Sequence, residues 1–256
     1  MGKVTIKSKD QITSMRAACQ IVRDVLQLLG NTVIPGMQAS EMDRMAEEYI
    51  RSQGAEPAFK GYGSDEKNLF PASICVSIND EVVHGIPDGR VLHEGDIVSI
   101  DVGVKKNGYF GDGARTFAVG RISVENQRLM KVTEDALYQG IARARSGNHV
   151  YDISGAVQKS VESNGFSVVK DLVGHGVGKE LHEDPAVPNF VPRGEISGVK
   201  LRAGMTLAIE PMVNAGTDKV RVDADGWTVR TMDGRPSAHF EHTILVTDGE
   251  PEVLTA

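Results

Sequence analysis

The sequence of 256 residues predicts an α+β fold made of two similar halves. Apolar residues recur at helical spacing in four stretches, apolar and polar residues alternate around two acidic positions, and both patterns return about 110 residues later. The halves are expected to span about residues 10–120 and 121–250 of a single domain, residues 1–256. Each half would then supply its own helices and strands.

Four helices are predicted from apolar residues that fall on one helix face. The first runs from Asp10 to Leu29 and meets a glycine stop signal. The second begins at Ser40, where Ser-Glu-Met-Asp resembles a capping box, and ends near Gly54. Two more helices are expected at about 123–145 and 152–164.

Two strands are predicted from the alternation of side chains between opposite faces. In Ile97–Val104 the even positions are all valine or isoleucine, so they would pack under helices and leave Asp101 on the other face. Thr206–Glu210 repeats this layout with Glu210 in the place of Asp101. The two acidic faces are expected to line one cavity.

The two halves match at nearly constant offsets. At an offset of 111 the pairs are Gly36 and Gly147, Met42 and Ile153, Met45 and Ala156, Ala46 and Val157, Ile50 and Val161, and Gly54 and Gly165. At an offset of 109 they are Leu92 and Leu201, Gly95 and Gly204, Asp101 and Glu210, and Val104 and Val213. A third match pairs Asp112 with Glu241, each eight residues before a glycine. Chance spacing is the alternative, and the agreement of both acid pairs favours duplication.

The charge and cysteine content narrow the class of protein. With 35 acidic and 28 basic residues and no long basic run, the chain lacks a strong footprint for nucleic acid or an anionic membrane, and any ribosome contact is expected to be transient and local.

Two cysteines, Cys19 and Cys75, cannot build a disulfide framework, which fits a reducing compartment. The start has no apolar signal segment, so the cytoplasm is the expected location.

Five residues far apart in the chain indicate a metal site: Asp101, Asp112, His175, Glu210 and Glu241. Burial and mutual repulsion would raise the pKa values of four clustered carboxylates until some were neutral, unless cations kept them ionised. Two divalent cations balance four carboxylates, with the imidazole as a neutral ligand. This donor set suits Mn, Fe, Co or Zn, and two such ions about 3.5–4 Å apart can lower the pKa of a water between them. The pattern therefore favours a dinuclear metallohydrolase.

Three other readings of the same segments are less favoured. Gly174–Gly178 lacks the spacing of a phosphate-binding loop, because Lys179 is followed by Glu180. His182-Glu183 does not begin a His-Glu-x-x-His zinc helix, since no histidine follows at the required position. A nucleophilic Cys75 is disfavoured because it lies in an apolar strand without a feature that would lower its pKa.

Several motifs together resemble the type I methionine aminopeptidases over about residues 10–250. They are Val76-Ser-Ile-Asn79, His84-Gly-Ile-Pro87, Gly95 to Asp101, Gly174-His-Gly-Val-Gly178 with His182, Glu210-Pro-Met-Val-Asn214, Asp225-Gly-Trp-Thr-Val229 and Glu241-His-Thr-Ile244. The resemblance implies the pita-bread fold, an internally duplicated α+β domain whose curved antiparallel sheet is flanked by helices. It implies removal of the initiator methionine by a water or hydroxide between two divalent ions, with N-terminal methionine peptides and nascent chains as partners.

The resemblance also implies a role for each site residue. Asp101 would bind one ion in bidentate fashion and His175 the other, while Asp112 and Glu241 would bridge them. Glu210 would be both ligand and proton acceptor. His182 would contact the scissile carbonyl, and His84 would bond to the departing peptide nitrogen. The walls of a methionine pocket would be Tyr62, Phe70, Cys75 and Trp227, whereas His93, His149, His239 and His242 are read as structural.

Two departures and two rival functions accompany this interpretation. The segment Gly61–Pro71 is longer than the corresponding family loop, and Leu172 stands where an aromatic residue is usual. The first rival is an enzyme of the same fold that cleaves Xaa-Pro bonds, as prolidases do, although those relatives usually carry a further N-terminal domain. The second is a non-catalytic binding module of this fold. A monomer is expected.

Overall fold

The computed structural model describes residues 4–256, and its helices lie where the sequence predicts them. They are α1 (Lys9–Gly30), α2 (Ala39–Ser52), α3 (Val124–Ile141) and α4 (Val150–Glu162). The third helix ends about four residues before the predicted end, and the fourth begins two residues before the predicted start. Within the described part of the chain, no helix has the length and apolarity that crossing a membrane requires.

Short antiparallel strands make up the rest of the regular structure. They are β1 (Glu56–Pro57), β2 (Cys75–Ile78), β3 (Glu81–Val83), β4 (Ile97–Lys106), β5 (Tyr109–Ala118), β6 (Ser167–Val168), β7 (Gly174–Gly176), β8 (Glu183–Val187), β9 (Thr206–Ile209), β10 (Met212–Asn214), β11 (Val220–Val222), β12 (Val229–Thr231), β13 (Ser237–His239), β14 (His242–Leu245) and β15 (Glu252–Val253). One sheet has the order β1-β4-β2 with β5 beside β4, and another has the order β15-β14-β9-β7-β8. Two three-stranded sheets have the orders β13-β10-β6 and β11-β12-β3.

The predicted capping box at Ser40 is wrong. Helix α2 begins at Ala39, and its N-cap residue Gln38 makes no capping bond through its side chain. The backbone supplies the partners instead, because Gln38 forms a β-bridge with Val91 and the amide of Ala39 donates to the carbonyl of Arg90 at 3.0 Å. A capping box stands instead at Ser8, whose side chain accepts from the amide of Gln11 at the start of α1.

The duplication is visible in backbone contacts that recur at the predicted offsets. The bridge between Gln38 and Val91 in the first half is matched by a bridge between His149 and Lys200 in the second. Three glycine pairs of the repeat also share left-handed backbone angles: Gly36 and Gly147 with φ of 94° and 95°, Gly54 and Gly165 with 64° and 76°, and Gly95 and Gly204 with 97° and 91°. Because other residues rarely adopt such angles, the glycines are needed at both copies of each turn.

The ladder register corrects the third sequence match. In the first half Asp101 pairs with Ala114 and Gly103 with Asp112. In the second half Ile209 pairs with His242 and Met212 with His239, so the register places Glu210 opposite Glu241. Asp112 therefore corresponds to His239 and Ala114 to Glu241, at an offset of 127 rather than 129. Eight-residue spacing before a glycine was a coincidence at these positions.

Reciprocal hydrogen bonds across the centre support the corrected register. Thr116 donates its hydroxyl to the carbonyl of His239 at 2.8 Å and accepts the amide of His239 at 2.9 Å. Thr243, the counterpart of Thr116, does the same with Asp112, at 2.8 Å and 3.1 Å. Each half thus extends the other's ladder where the candidate site lies.

Helices cover one face of each half and leave the other face to the site. Val98, Ile100 and Val102 of β4 pack in one apolar core with residues of α1 and α2. A second core joins α3 and α4 to Leu207 and Ile209 of β9. The alternation predicted for Ile97–Val104 is therefore confirmed, and it leaves Asp101 on the uncovered face.

Candidate metal centre

The first half contributes two carboxylates from one regular hairpin. Asp101 in β4 and Asp112 in β5 are buried, with 9% and 4% of their surface exposed. The hairpin holds them in direct side-chain contact, since Asp112 pairs with Gly103, two residues from Asp101 on the same face. Burial raises the pKa of Asp101 to about 7, and burial with the charges of Asp101 and Glu210 raises the pKa of Asp112 well above its ordinary value.

The second half contributes His175 with one ring nitrogen free for a ligand. Its Nδ1 lies 2.8 Å from the carbonyl of Gly176, which can only accept, so Nδ1 carries the proton. Burial lowers the pKa of His175 to about 4, so the ring is neutral at pH 7 and Nε2 has a lone pair. That nitrogen lies 3.5 Å from Glu210 Oε1 and 3.8 Å from Asp112 Oδ2. A backbone acceptor on the far nitrogen is the usual arrangement of a metal-binding histidine.

Glu210 and Glu241 complete the cluster from opposing chain segments. Asn189, which is buried, donates from Nδ2 to the carbonyl of Glu210 at 2.9 Å and so holds its backbone. Glu241 exchanges backbone bonds with Ala114 of the first half, its amide donating at 2.8 Å. Burial is the main cause that raises the pKa of both glutamates well above the ordinary value, with the neighbouring carboxylates adding to it.

The donor set fits divalent cations. Ligand atoms of Asp112, His175 and Glu241 lie within 4.8 Å of one another. Asp101 Oδ1 and Glu241 Oε1 are buried and have no hydrogen-bond partner among the described residues. Unpaired buried carboxylate oxygens are costly in a protein unless a cation compensates them. Four carboxylates and one imidazole offer the oxygen and nitrogen ligands that Mn, Fe, Co or Zn accept.

One residue of this cluster was missed by the sequence analysis, which read His239 as structural. It is 1% exposed, and its Nε2 lies 3.9 Å from Glu210 Oε2 and 4.0 Å from Glu241 Oε2. Burial lowers the pKa of its ring to about 3, with His84 contributing. The signal available in the sequence was its place two residues before Glu241, because side chains two residues apart in an extended segment point to the same side.

Two further histidines line the cavity beside the cluster. His182 packs its ring against His175 with centroids 4.2 Å apart, and its Nδ1 lies 2.6 Å from the hydroxyl of Tyr62. With Tyr62 as donor, neutral His182 carries its own proton on Nε2, and burial lowers its pKa. His84 has a φ of 58°, an uncommon angle outside glycine, and burial lowers its pKa to about 4.

A salt bridge supports the turn that carries His182. Glu183 accepts the backbone amide of Lys179 at 2.7 Å and pairs with Lys7 at 2.7 Å. Both partners are largely buried, with side-chain exposures of 11% and 5%. The chain between β7 and β8 is thus fastened to the segment before α1, which fixes the place of His182.

All residues predicted for the site line one cavity, together with two that were not predicted. The lining comprises Phe59, Tyr62, Phe70, Cys75, His84, Asp101, Asp112, His175, Leu181, His182, Glu210, Trp227 and Glu241. Phe59 and Leu181 are the additions. Their sequence surroundings carried no chemical signal, because an apolar side chain in a pocket cannot be told from one in the core.

The long Gly61–Pro71 segment leaves the pocket wall in place. Its ends are closed by backbone bonds between Gly61 and Phe70 and between Phe70 and Tyr62, each 2.8 Å. Phe70 is 3% exposed and meets Trp227 edge-on with centroids 5.3 Å apart. Trp227 Nε1 donates to the carbonyl of Asn68 at 3.1 Å, which ties the loop to the pocket. Residues 63–69, between these bonds, are not among the residues that line the cavity.

Cys75 lacks the properties of a nucleophile. It is 4% exposed in β2, directly opposite Asp101 of β4. Burial and the charge of Asp101 raise the pKa of its thiol well above the ordinary value, so no thiolate is available at neutral pH. Its place in the cavity is that of an apolar wall.

Known proteins resemble this chain over almost its whole length. The profile of metallopeptidase family M24 matches residues 13–248. The methionine aminopeptidase of Clostridium acetobutylicum is 51% identical over 253 residues, covering 98% of this chain and 98% of that protein. A solved structure of methionine aminopeptidase from Thermotoga maritima is 44% identical with a TM-score of 0.94, covering 99% of both chains.

A more distant structure shares the fold alone. The prolidase of Pyrococcus furiosus has a TM-score of 0.77 at 22% identity, covering 98% of this chain and 65% of that chain. Together with the closer likeness to the Thermotoga maritima structure, it confirms the pita-bread fold and its internally duplicated α+β arrangement.

Proposed function

This chain belongs to metallopeptidase family M24, and we propose that it removes the initiator methionine from nascent polypeptides. The chain is a metal-dependent peptidase. Its relatives named methionine aminopeptidase are 49–51% identical to it over nearly their full length. The observation that carries the proposal is the cavity in which a buried carboxylate and imidazole cluster adjoins an aromatic pocket.

We propose five residues as ligands of two divalent cations, Co, Mn, Fe or Zn. They are Asp101, Asp112, His175, Glu210 and Glu241. The unpartnered oxygens of Asp101 and Glu241 and the free Nε2 of His175 support this assignment. Bound there, the cations would act as Lewis acids that polarise the scissile carbonyl and lower the pKa of the attacking water.

The catalytic groups of the protein itself are proposed to be Glu210, His182 and His84. Glu210 accepts the proton of the attacking water, for which its carboxylate must be ionised, as bound cations would keep it. His182 donates from Nε2 to the carbonyl oxygen as negative charge develops there, because Tyr62 occupies its Nδ1. His84 hydrogen-bonds to the peptide nitrogen as it departs with the proton that Glu210 has taken from the water.

The methionine side chain is proposed to enter the pocket formed by Tyr62, Phe70, Cys75 and Trp227. Aromatic rings and sulfur suit an unbranched, polarisable thioether. Trp227 is held by an Asx turn, in which Asp225 Oδ1 accepts the amide of Trp227 at 2.8 Å. A pocket with fixed walls distinguishes methionine from bulkier side chains.

The setting of the enzyme is part of the same proposal. The chain would act as a monomeric single catalytic domain in the cytoplasm, with halves at about 10–120 and 121–250. Peptides with N-terminal methionine are its substrates, and its contact with the ribosome would be transient. The excess of acidic residues supports a weak contact.

An activity assay on metal-stripped protein tests the proposal. Mn, Fe, Co and Zn are added back separately, and hydrolysis of Met-Ala-Ser is compared with that of peptides bearing Ala-Pro at the N-terminus. We expect release of free methionine that depends on added metal. Preferential cleavage of the Ala-Pro peptide would contradict the methionine specificity, and tight peptide binding without hydrolysis under any metal would indicate a binding module.

A further inference from the structure

His239 is an anomaly in the interior of this protein. It is 1% exposed, and neither ring nitrogen has a hydrogen-bond partner among the described residues. Buried polar side chains nearly always have a partner, and leaving one unpaired destabilises the folded state. None of the roles proposed above uses this residue. Such a side chain therefore requires an explanation from the site that it faces.

The position of His239 in the second half corresponds to that of Asp112, a proposed ligand, in the first half. Met212 pairs with His239 in the second half as Gly103 pairs with Asp112 in the first. The backbone of each is fastened to a threonine of the other half, Thr116 for His239 and Thr243 for Asp112. The ring of His239 is thus directed from a rigid point of the ladder.

The only charged groups recorded within 4.0 Å of His239, among residues 4–256, are two proposed ligands. Its Nε2 is 3.9 Å from Glu210 Oε2 and 4.0 Å from Glu241 Oε2. Both distances exceed hydrogen-bond length by about 1 Å, so a small shift of either carboxylate would complete a bond. Glu210 lies between two imidazoles, with His175 Nε2 at 3.5 Å from its other oxygen.

We propose that His239 is a positioning residue of the metal centre, donating Nε2–H to the carboxylates of Glu210 and Glu241. This inference rests on the proposed metallopeptidase function. As ligands both glutamates are ionised, and an N–H donor between them offsets part of their repulsion and fixes the orientation of Glu210. Carboxylate ligands are commonly held by such outer hydrogen bonds, whose loss lowers metal affinity or activity about 10–100-fold.

Two substitutions of similar size separate hydrogen bonding from shape. His239→Leu fills the space without a donor, whereas His239→Gln keeps an N–H donor near the place of Nε2. The matched control is His242→Leu. His242 is one residue beyond Glu241, and its Nδ1 lies 2.8 Å from the hydroxyl of Thr255 in the C-terminal segment.

The measurement is titration of the metal-stripped proteins with Co(II), followed by calorimetry and by the visible absorption spectrum. We expect His239→Leu to weaken Co(II) binding about 10–100-fold and to lower kcat for Met-Ala-Ser with little change in KM. His239→Gln should retain affinity within about threefold of the parent, and His242→Leu should match the parent. Circular dichroism checks that each variant folds. If His239→Leu does not fold, His239→Asn replaces it, because the shorter asparagine amide cannot reach Glu210 and Glu241.

Three results would overturn the inference. Parental Co(II) affinity and spectrum in His239→Leu would show that the ring plays no part in the centre. Equal losses in the glutamine and leucine variants would show that the donor is not the property that matters, as would a loss of kcat without any change in binding or spectrum. Failure of the proposed function looks different, because the parent protein itself would then bind no Co(II) or release no methionine.

Discussion

The two halves of the molecule carry the same ladder, but only the first is unbroken. Strands β4 and β5 pair without interruption over ten residues each. In the second half the pairing stops between Ile209 and Met212, where Pro211 has no amide to donate, and resumes in a second sheet. The regular half holds two short aspartates, and the interrupted half holds the longer Glu210 and Glu241.

The interruption changes what each half can provide. The backbone of Glu241, freed from the ladder, bonds with Ala114 of the first half instead. The imidazoles of His175 and His239 and the proposed proton acceptor Glu210 all come from the second half. Duplication thus produced a regular half whose two proposed ligands are aspartates and an interrupted half that holds two glutamates, the proposed imidazole ligand and the proposed proton acceptor.

The largest loss of activity is expected from a substitution in the first half. Asp112→Asn removes a proposed bridging ligand and should lower kcat more than about 1,000-fold, because outer-shell changes alone cost about 10–100-fold. The fold should survive, because asparagine has nearly the same size as aspartate. The substitution also removes the repulsion between Asp112 and the neighbouring carboxylates. Assays with saturating Mn or Co, with circular dichroism as the control for folding, would measure this. Retention of more than a tenth of the activity would contradict the bridging role.

A smaller effect is expected at His182, which belongs to the second half but binds no metal in the proposal. His182→Ala should lower kcat about 100-fold, the usual loss for one donor to a developing oxyanion, with KM nearly constant. Steady-state kinetics on Met-Ala-Ser would test the split. Tyr49→Phe, far from the cavity, serves as a control substitution. A change confined to KM would assign His182 to ground-state binding.

Both halves should contribute to a pH dependence of stability in the metal-stripped protein. Asp101 has a folded pKa of about 7, and those of Asp112, Glu210 and Glu241 lie well above their ordinary values. The folded protein holds the protons of these acids more tightly than the unfolded chain does. Their contribution to stability is therefore fully present below about pH 4, where both states are protonated. It is lost as the pH rises through 7. The Tm should fall by on the order of 10 °C between pH 5 and 8.

Differential scanning calorimetry of the chelator-treated protein would measure that slope, and added Co(II) should abolish most of it. Glu210→Gln and Asp101→Asn should each make the dependence of Tm on pH less steep, because each removes one of the four acids. Glu210 belongs to the second half and Asp101 to the first. A Tm that rises with pH over this interval would mean that the four acids are ionised without cations.

The smallest effect is expected at a packing difference between the halves. Gly103 corresponds to the buried Met212, and a Cβ at Gly103 would lie 2.5 Å from the ring of Phe59. Gly103→Ala should therefore lower the free energy of unfolding by about 1–3 kcal/mol. Gly89→Ala, with open space around the added carbon, is the control. Urea denaturation compares them, and equal stabilities would mean that Phe59 moves aside freely.

The sequence predicted the helices and the acid cluster because their patterns are local and strong. Helical spacing from Asp10 to Leu29 required only one chain segment, and the acids at Asp101 and Glu210 stood out against apolar neighbours. The cap of α2 was mispredicted because its partner, Val91, lies in a distant segment. Such tertiary backbone pairing has no sequence signature.

The remaining errors arose where spacing along the chain stood in for contacts across it. Asp112 was matched with Glu241 instead of His239 because each acid precedes a glycine by eight residues, whereas the true correspondence follows from the cross-strand register. A lone buried histidine is also ordinary in a core, and the significance of His239 depends on distances to Glu210 and Glu241 that only the fold supplies.

The reciprocal threonine bonds have a consequence for deuterium labelling. The amides of Asp112 and His239 donate to hydroxyls of the opposite half, so they can meet solvent only when the halves separate. Their protons should be among the slowest of the molecule to exchange, at rates set by global opening rather than by local fraying. A mass-spectrometric time course would then read the cohesion of the two halves directly at the place where chemistry is proposed to occur.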